Sequence, residues 1–175
     1  MNKRCPPRKA SFLLRVLYEL ADVACPAMFA LALLLIFVLR PVGVLGGSME
    51  PTLRHGQRIV LLLAGELRRG DVVVVSDMGI ELDSVIVKRV IGLPGDVIDI
   101  DFVAGVVYRN GEALDEDYVD APTLLRGDVM FPVAVEEGRV FLLGDNRNGS
   151  EDSRMSSIGL VDRRFIIGRM IWPSE

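Results

Sequence analysis

The sequence predicts a mostly β protein: an antiparallel β-sheet domain with a small inserted lobe, carried on one N-terminal transmembrane helix. Three observations lead there. Val23–Leu39, VACPAMFALALLLIFVL, is a run of seventeen residues without a charge. Beyond Pro41, short runs rich in Val and Ile alternate with Gly, Pro, Asn and Asp turn signals, the pattern of strands. Little after Pro41 carries the 3.6-residue period of an amphipathic helix.

The first element is a basic tail, residues 1–22, followed by the apolar run at 23–39. As a helix that run spans roughly 25 Å, near the short end of what crosses a bilayer. A buried soluble helix is one alternative. A cleavable secretory signal is another, but its apolar core is usually about 7–15 residues long and its charged lead shorter than this one. Lys3, Arg4, Arg8, Lys9 and Arg15 precede the run, and Arg40 then stands alone until Arg54. The positive-inside rule therefore puts the N-terminus in the cytoplasm and residues 40–175 outside, on a single-pass anchor in the cell membrane.

The outer domain reads as a succession of strands: IVLLLA, DVVVVS, SVIVKRVIG, DVIDID, VVYR, VFLLG and FIIGRMI. Arg69-Gly70-Asp71, Pro94-Gly95-Asp96, Asn110-Gly111 and Glu137-Gly138 separate them. Asn110-Gly111 between VVYR and EAL predicts a two-residue hairpin. Several runs are apolar at every position, so both faces of those strands are expected to be covered. The weaker stretch 104–137 reads as a smaller lobe or a long excursion.

Composition narrows the function. Residues 1–40 carry a net charge of +4 and residues 41–175 a net charge of −8. An acidic main domain argues against nucleic acid as partner. The two cysteines, Cys5 and Cys25, lie in the tail and the apolar run, so the outer domain has neither a disulfide framework nor a cysteine metal site. No His/Cys/Asp cluster suggests metal hydrolysis, and no cofactor is implied.

Three stretches could carry chemistry. LGGSMEPTL, Leu45–Leu53, puts Ser48 on a glycine-containing loop just beyond the apolar run, stiffened behind by Pro51. A serine nucleophile needs a base. The single histidine, His55, sits in a turn-like RHGQ and reads as a surface residue. The outer domain holds thirteen arginines but one lysine, Lys88, in SVIVKRVIG. On a strand, Lys88 shares a face with Ile86 and Val90, while Val85, Val87 and Ile91 point the other way. Desolvated there, its amine loses pKa and can accept a proton, which guanidinium cannot. The alternative is an edge-strand lysine reaching water. GDNRNGSEDSR, Gly144–Arg154, is either a solvated loop of Asx turns or a polar network that holds a site.

In this order behind an anchor, the three stretches resemble type I signal peptidases. SMEPTL resembles the family's nucleophile box, KRVIGLPGD its lysine box and GDNRNGSEDSR its C-terminal box; GDVVVV and VYRNGEALDEDYV also resemble family segments. The resemblance implies a membrane-anchored serine endopeptidase that removes signal peptides from precursor proteins after small residues. It implies Ser48 as nucleophile and Lys88 as general base, with the Ser150 hydroxyl holding the lysine amine and Asp145, Asp152 and Arg154 bracing the site. It places Arg89 as structural and suggests Val44, Met49, Leu53, Ile86 and Val87 as the lining of shallow substrate pockets. Its partners are signal-peptide-bearing precursors and membrane lipid. The close alternative is a related Ser/Lys peptidase with another client, such as one of pilus maturation or of the mitochondrial inner membrane. One departure stands out: where some members carry a hydroxyl two places before the nucleophile, this chain has Gly46, which leaves the second oxyanion donor unassigned.

Overall fold

The computed structural model describes residues 12–63, 65–76 and 85–173 of the chain. It divides into two units, residues 1–38 and 39–175. In the first, helix α1 (Phe12–Val38) is longer than the uncharged run and encloses Pro26. It contains an eighteen-residue stretch, Val16–Leu33, of mean hydropathy 1.7, long and apolar enough to cross a membrane. Helix starts before Val23 because the preceding LLRVLYEL is itself built of good helix formers. It ends before Leu39, which already pairs with Leu62 in a β ladder.

Among the described residues the second unit has eleven strands. They are β1 (Leu39–Gly43), β2 (Arg58–Leu62), β3 (Val72–Val75), β4 (Ile86–Gly92), β5 (Val97–Asp101), β6 (Val106–Arg109), β7 (Glu112–Ala113), β8 (Val133–Ala134), β9 (Arg139–Leu143), β10 (Val161–Asp162) and β11 (Ile166–Pro173). A seven-stranded sheet runs β1-β2-β11-β3-β4-β9-β10, and a four-stranded sheet runs β7-β6-β5-β8. Every pairing is antiparallel. All seven expected runs form strands. The four-stranded sheet opens at Val97, upstream of the stretch 104–137, because DVIDID pairs with VVYR across the 102–105 turn. Asn110 and Gly111 both adopt positive φ, 56° and 83°, the pair of left-handed residues that a type I′ hairpin requires.

The two-residue period of the strands sorts their side chains into three apolar clusters. From β3, Val72 and Val74 join Val44, Met49, Leu53, Ile59, Leu61 and Val87. Val73 and Val75 face the other way, onto Val90, Val140, Leu142, Ile158 and Val161. From β9, Phe141 and Leu143 turn toward the four-stranded sheet and pack on Ile91, Ile98, Ile100, Val107 and Val135. An unbroken Val-Val-Val-Val strand is thus covered on both faces. β4 runs between β3 and β9, so whatever it carries lies in the interior of the sheet.

Candidate active site

Ser48 sits on the excursion between β1 and β2. The ladder of those strands continues one step past its last pair, with Val44 N–H donating to the Gln57 carbonyl and Gly56 N–H to the Val44 carbonyl, each at 2.8 Å. Beyond this neck the chain leaves as Leu45-Gly46-Gly47 and turns back through Met49–Leu53, where Leu53 N–H reaches the Met49 carbonyl at 2.8 Å. The Glu50–Pro51 peptide is cis. Val44, Met49 and Leu53 are buried in the first apolar cluster. Burying a side chain of this size stabilises by about 1.5–3 kcal/mol, so the loop is pinned at both shoulders despite its two glycines. Leu45, next to the neck, is left 77% exposed.

Lys88 lies mid-strand on β4, opposite Val73. Ile86 and Val90, two residues to either side, belong to the same apolar cluster as Val73, while Val87 and Ile91 belong to the other two. The expected alternation of faces therefore holds. Lys88 is 3% exposed on an interior strand, which removes the alternative of an edge lysine reaching water. Its Nζ stands 2.8 Å from Ser48 Oγ. Burial pulls the amine down from 10.5 to about 8; the charges of Asp152, Glu151 and Asp145 oppose that fall, and Arg154 assists it. Desolvation wins, so about a tenth of the amine is neutral at pH 7, far more than for a solvated lysine.

The third stretch is a buried polar network rather than a solvated loop. Asp152 and Arg154 have fully buried side chains joined at 2.8 and 2.9 Å, and Asp152 also accepts from Gly144 N–H. Arg154 donates onward to the carbonyls of Arg147 and Leu125. Ser153 clamps the segment to β9: its N–H donates to the Leu142 carbonyl and its hydroxyl accepts from Leu142 N–H. Asp145 accepts from Arg89 at both oxygens, 2.8 and 2.6 Å, and from the Thr52 hydroxyl at 2.5 Å. The Arg89 guanidinium lies 3.9 Å over the Tyr118 ring, and Tyr118 donates to Glu116, which binds the buried Arg147 at 2.6 Å.

Two residues not singled out from the sequence hold the Ser48 loop directly. Asn146 donates from its backbone to the Ser48 carbonyl at 3.1 Å and from its side chain to the Gly47 carbonyl at 3.0 Å. Thr52 ties the far side of the loop to Asp145. Both residues fall within the stretches singled out above, but contacts across more than ninety residues leave no local signal. Ser150 is buried, and a β-carbon on Gly144 would fall 2.1 Å from its Oγ and 2.5 Å from the Ser48 carbonyl oxygen. The Ser150 hydroxyl donates to the Glu151 carbonyl at 3.4 Å; among the described residues the Lys88 amine bonds Ser48. Of the five suggested pocket residues, Val44, Met49, Leu53 and Val87 come together in one cluster. Ile86 packs on the opposite face of the sheet.

The β-sheet domain presses a loop serine against a buried lysine whose amine is pulled toward neutrality. The chain belongs to the signal peptidase, peptidase S26 family, whose model matches residues 17–174. It is a serine endopeptidase of that family. It is 35% identical over 164 residues to the signal peptidase I of Bacillus licheniformis, covering 87% of this chain and 85% of that one. To the signal peptidase I of Bacillus amyloliquefaciens it is 38% identical over 152 residues, covering 79% and 76% of the two chains. Its fold matches the crystal structure of a signal peptidase I from Enterococcus faecalis V583 with a TM-score of 0.50 and 27% identity, over 61% of this chain and 98% of that one. The resemblance drawn from the three boxes is thereby borne out.

Proposed function

We propose that this chain removes signal peptides from precursor proteins by acyl transfer, with Ser48 as nucleophile and Lys88 as general base. The observation that carries this reading is the 2.8 Å contact between Ser48 Oγ and the Nζ of a buried lysine. Neutral Lys88 takes the hydroxyl proton as Oγ attacks the scissile carbonyl carbon. The tetrahedral intermediate collapses with cleavage of the C–N bond, and the Lys88 ammonium gives its proton to the leaving amine. A water then passes a proton to Lys88 and attacks the ester, and Ser48 leaves reprotonated. No cofactor enters.

The surrounding network keeps this pair in register. Asp145, Asp152 and Arg154 fix the segment that grips the Ser48 loop, and buried Ser150 packs against Gly144 in that segment. Ser48 N–H has no acceptor among the described residues and is open to the oxyanion. Val44, Met49, Leu53 and Val87 back an apolar surface suited to the small side chains that precede the cut. The basic tail argues for an N-terminus in the cytoplasm, with helix α1 crossing the bilayer and the β domain outside, where precursors emerge. The test is cleavage of a secreted precursor by the purified full chain in detergent. Ser48→Ala and Lys88→Ala should each abolish cleavage at unchanged folding. Retention of cleavage by either variant would sink the reading.

A further inference from the structure

His55 reads from sequence as a turn residue, and the fold does leave it exposed. Its ring nevertheless lies against the loop that carries Ser48. Nδ1 accepts a hydrogen bond from Gly46 N–H at 3.0 Å. A backbone N–H can only donate, so Nδ1 bears the lone pair and the ring proton sits on Nε2.

Gly46 has a φ of +84°, and no neighbouring atom lies within 4 Å of where a side chain would begin. A glycine in open space has the most conformations to escape into. The two hydrogen bonds at the neck of the loop end on Val44. On the other side, Gly47 and Ser48 are held through their carbonyls by Asn146. Between these anchors, the imidazole is what secures Gly46. The next peptide link is the one whose N–H belongs to Gly47, and the one after carries the N–H of Ser48. Fixing Gly46 therefore sets both the direction of Ser48 Oγ toward Lys88 and the place of the Ser48 N–H.

We propose that His55 is a positioning residue for the peptidase reaction: its Nδ1 holds the Gly46 backbone so that Ser48 keeps its reach to Lys88 and its N–H stays free for the oxyanion. This rests on Ser48 being the nucleophile. The imidazole transfers no proton; it needs only an acceptor atom at the reach of Nδ1. Asparagine offers one, since its Oδ1 also lies two bonds beyond Cβ. Glutamine carries its oxygen one carbon farther out.

The experiment compares His55→Ala, His55→Asn and His55→Gln in the full chain, with kcat and KM on a precursor and thermal unfolding for each. Small misplacements of reacting groups can cost about a hundredfold, so His55→Ala should lower kcat by about ten- to a hundredfold with KM within about twofold. His55→Asn should restore most of kcat, and His55→Gln should stay low. If His55→Ala proves too unstable to assay, the Asn and Gln pair carries the same comparison. Wild-type kcat in His55→Ala or His55→Gln would overturn the proposal. So would folded but equally inactive Ala and Asn variants, the pattern of an imidazole that moves a proton. Ser48→Ala, assayed alongside, separates the two readings: cleavage by that variant defeats the nucleophile assignment whatever the His55 variants do.

Discussion

Arg89 spans both oxygens of Asp145, and it does so from the residue next to Lys88. Lys88 reaches Ser48, and Arg89 beside it reaches the segment after β9. Arg89 also donates to the Gly70 carbonyl at 2.9 Å, while Asp145 takes the Thr52 hydroxyl of the Ser48 loop. One ion pair thus ties β4, the Ser48 loop and the C-terminal polar segment together. The Asp145 side chain is fully buried and that of Arg89 is 12% exposed, so neither charge is well solvated without the other.

Breaking a buried pair by removing one partner typically costs about 3–5 kcal/mol, because the remaining charge is stranded. Asp145→Ala should therefore lower the free energy of unfolding by that order in denaturant titration. The double variant Asp145→Ala/Arg89→Ala should lose less than the two single changes added together. Additive losses would show that the two side chains do not depend on each other.

Gly144 is where the chain cannot carry even a methyl group. A β-carbon there meets the Ser48 carbonyl oxygen at 2.5 Å, and that oxygen is fixed backbone held by Asn146. The Ser150 hydroxyl can rotate away, but its β-carbon, also at 2.5 Å, and the Ser48 carbonyl can only shift. Gly144→Ala should cost about 1–3 kcal/mol, the usual penalty of overpacking, and should reduce kcat more than it raises KM. Unchanged kcat would mean the nucleophile loop tolerates the displacement.

The strands and their faces were legible in the sequence because Val-rich runs bounded by turn residues state them locally. Lys88 was legible for a related reason: a lone lysine in an apolar run leaves a visible mark. Other features lacked such a mark. β11, the last strand, inserts between β2 and β3, and nothing in IIGRMIWP specifies which neighbours it takes. β1 contains Pro41, which argues against an interior strand, yet it forms at the end of the sheet where a missing N–H is tolerated. The 114–125 segment has little secondary structure. It is ordered by Arg147 bridging to Glu116 and Thr123, bonds that join residues far apart in the chain.

The proposed orientation has its own test. Protease added to intact cells whose outer layer is permeable should digest residues 40–175 and spare an epitope fused ahead of Met1. Substituting Lys3, Arg4, Arg8 and Lys9 by Asn should weaken that preference, because cytoplasmic retention follows positive charge. Protection of the peptidase domain in the wild-type chain would reverse the orientation.

The pH dependence of activity and that of stability should share one origin. Lys88 falls from 10.5 to about 8 because burial disfavours its charged form. Cleavage needs the neutral amine, so kcat/KM should rise with pH through about 8 and flatten above it, provided no substrate group titrates there. Stability should follow a related course with a definite sign. Below about 8 the folded and unfolded chains both protonate this lysine, and the folded state bears the full cost of a buried ammonium. Between about 8 and 10.5 the unfolded chain binds more protons than the folded one, so stability from this group increases with pH. At about 1.4 kcal/mol per unit the gain approaches roughly 3 kcal/mol. Lys88→Met should abolish cleavage, remove this contribution and be more stable than wild type at pH 7. Lys88→Arg should be inactive at every pH, since guanidinium cannot serve as the base, and less stable, since its charge cannot be shed. A wild-type activity limb near 10, together with equal stability of wild type and Lys88→Met at pH 7, would mean that the amine is solvated and that desolvation does not poise it.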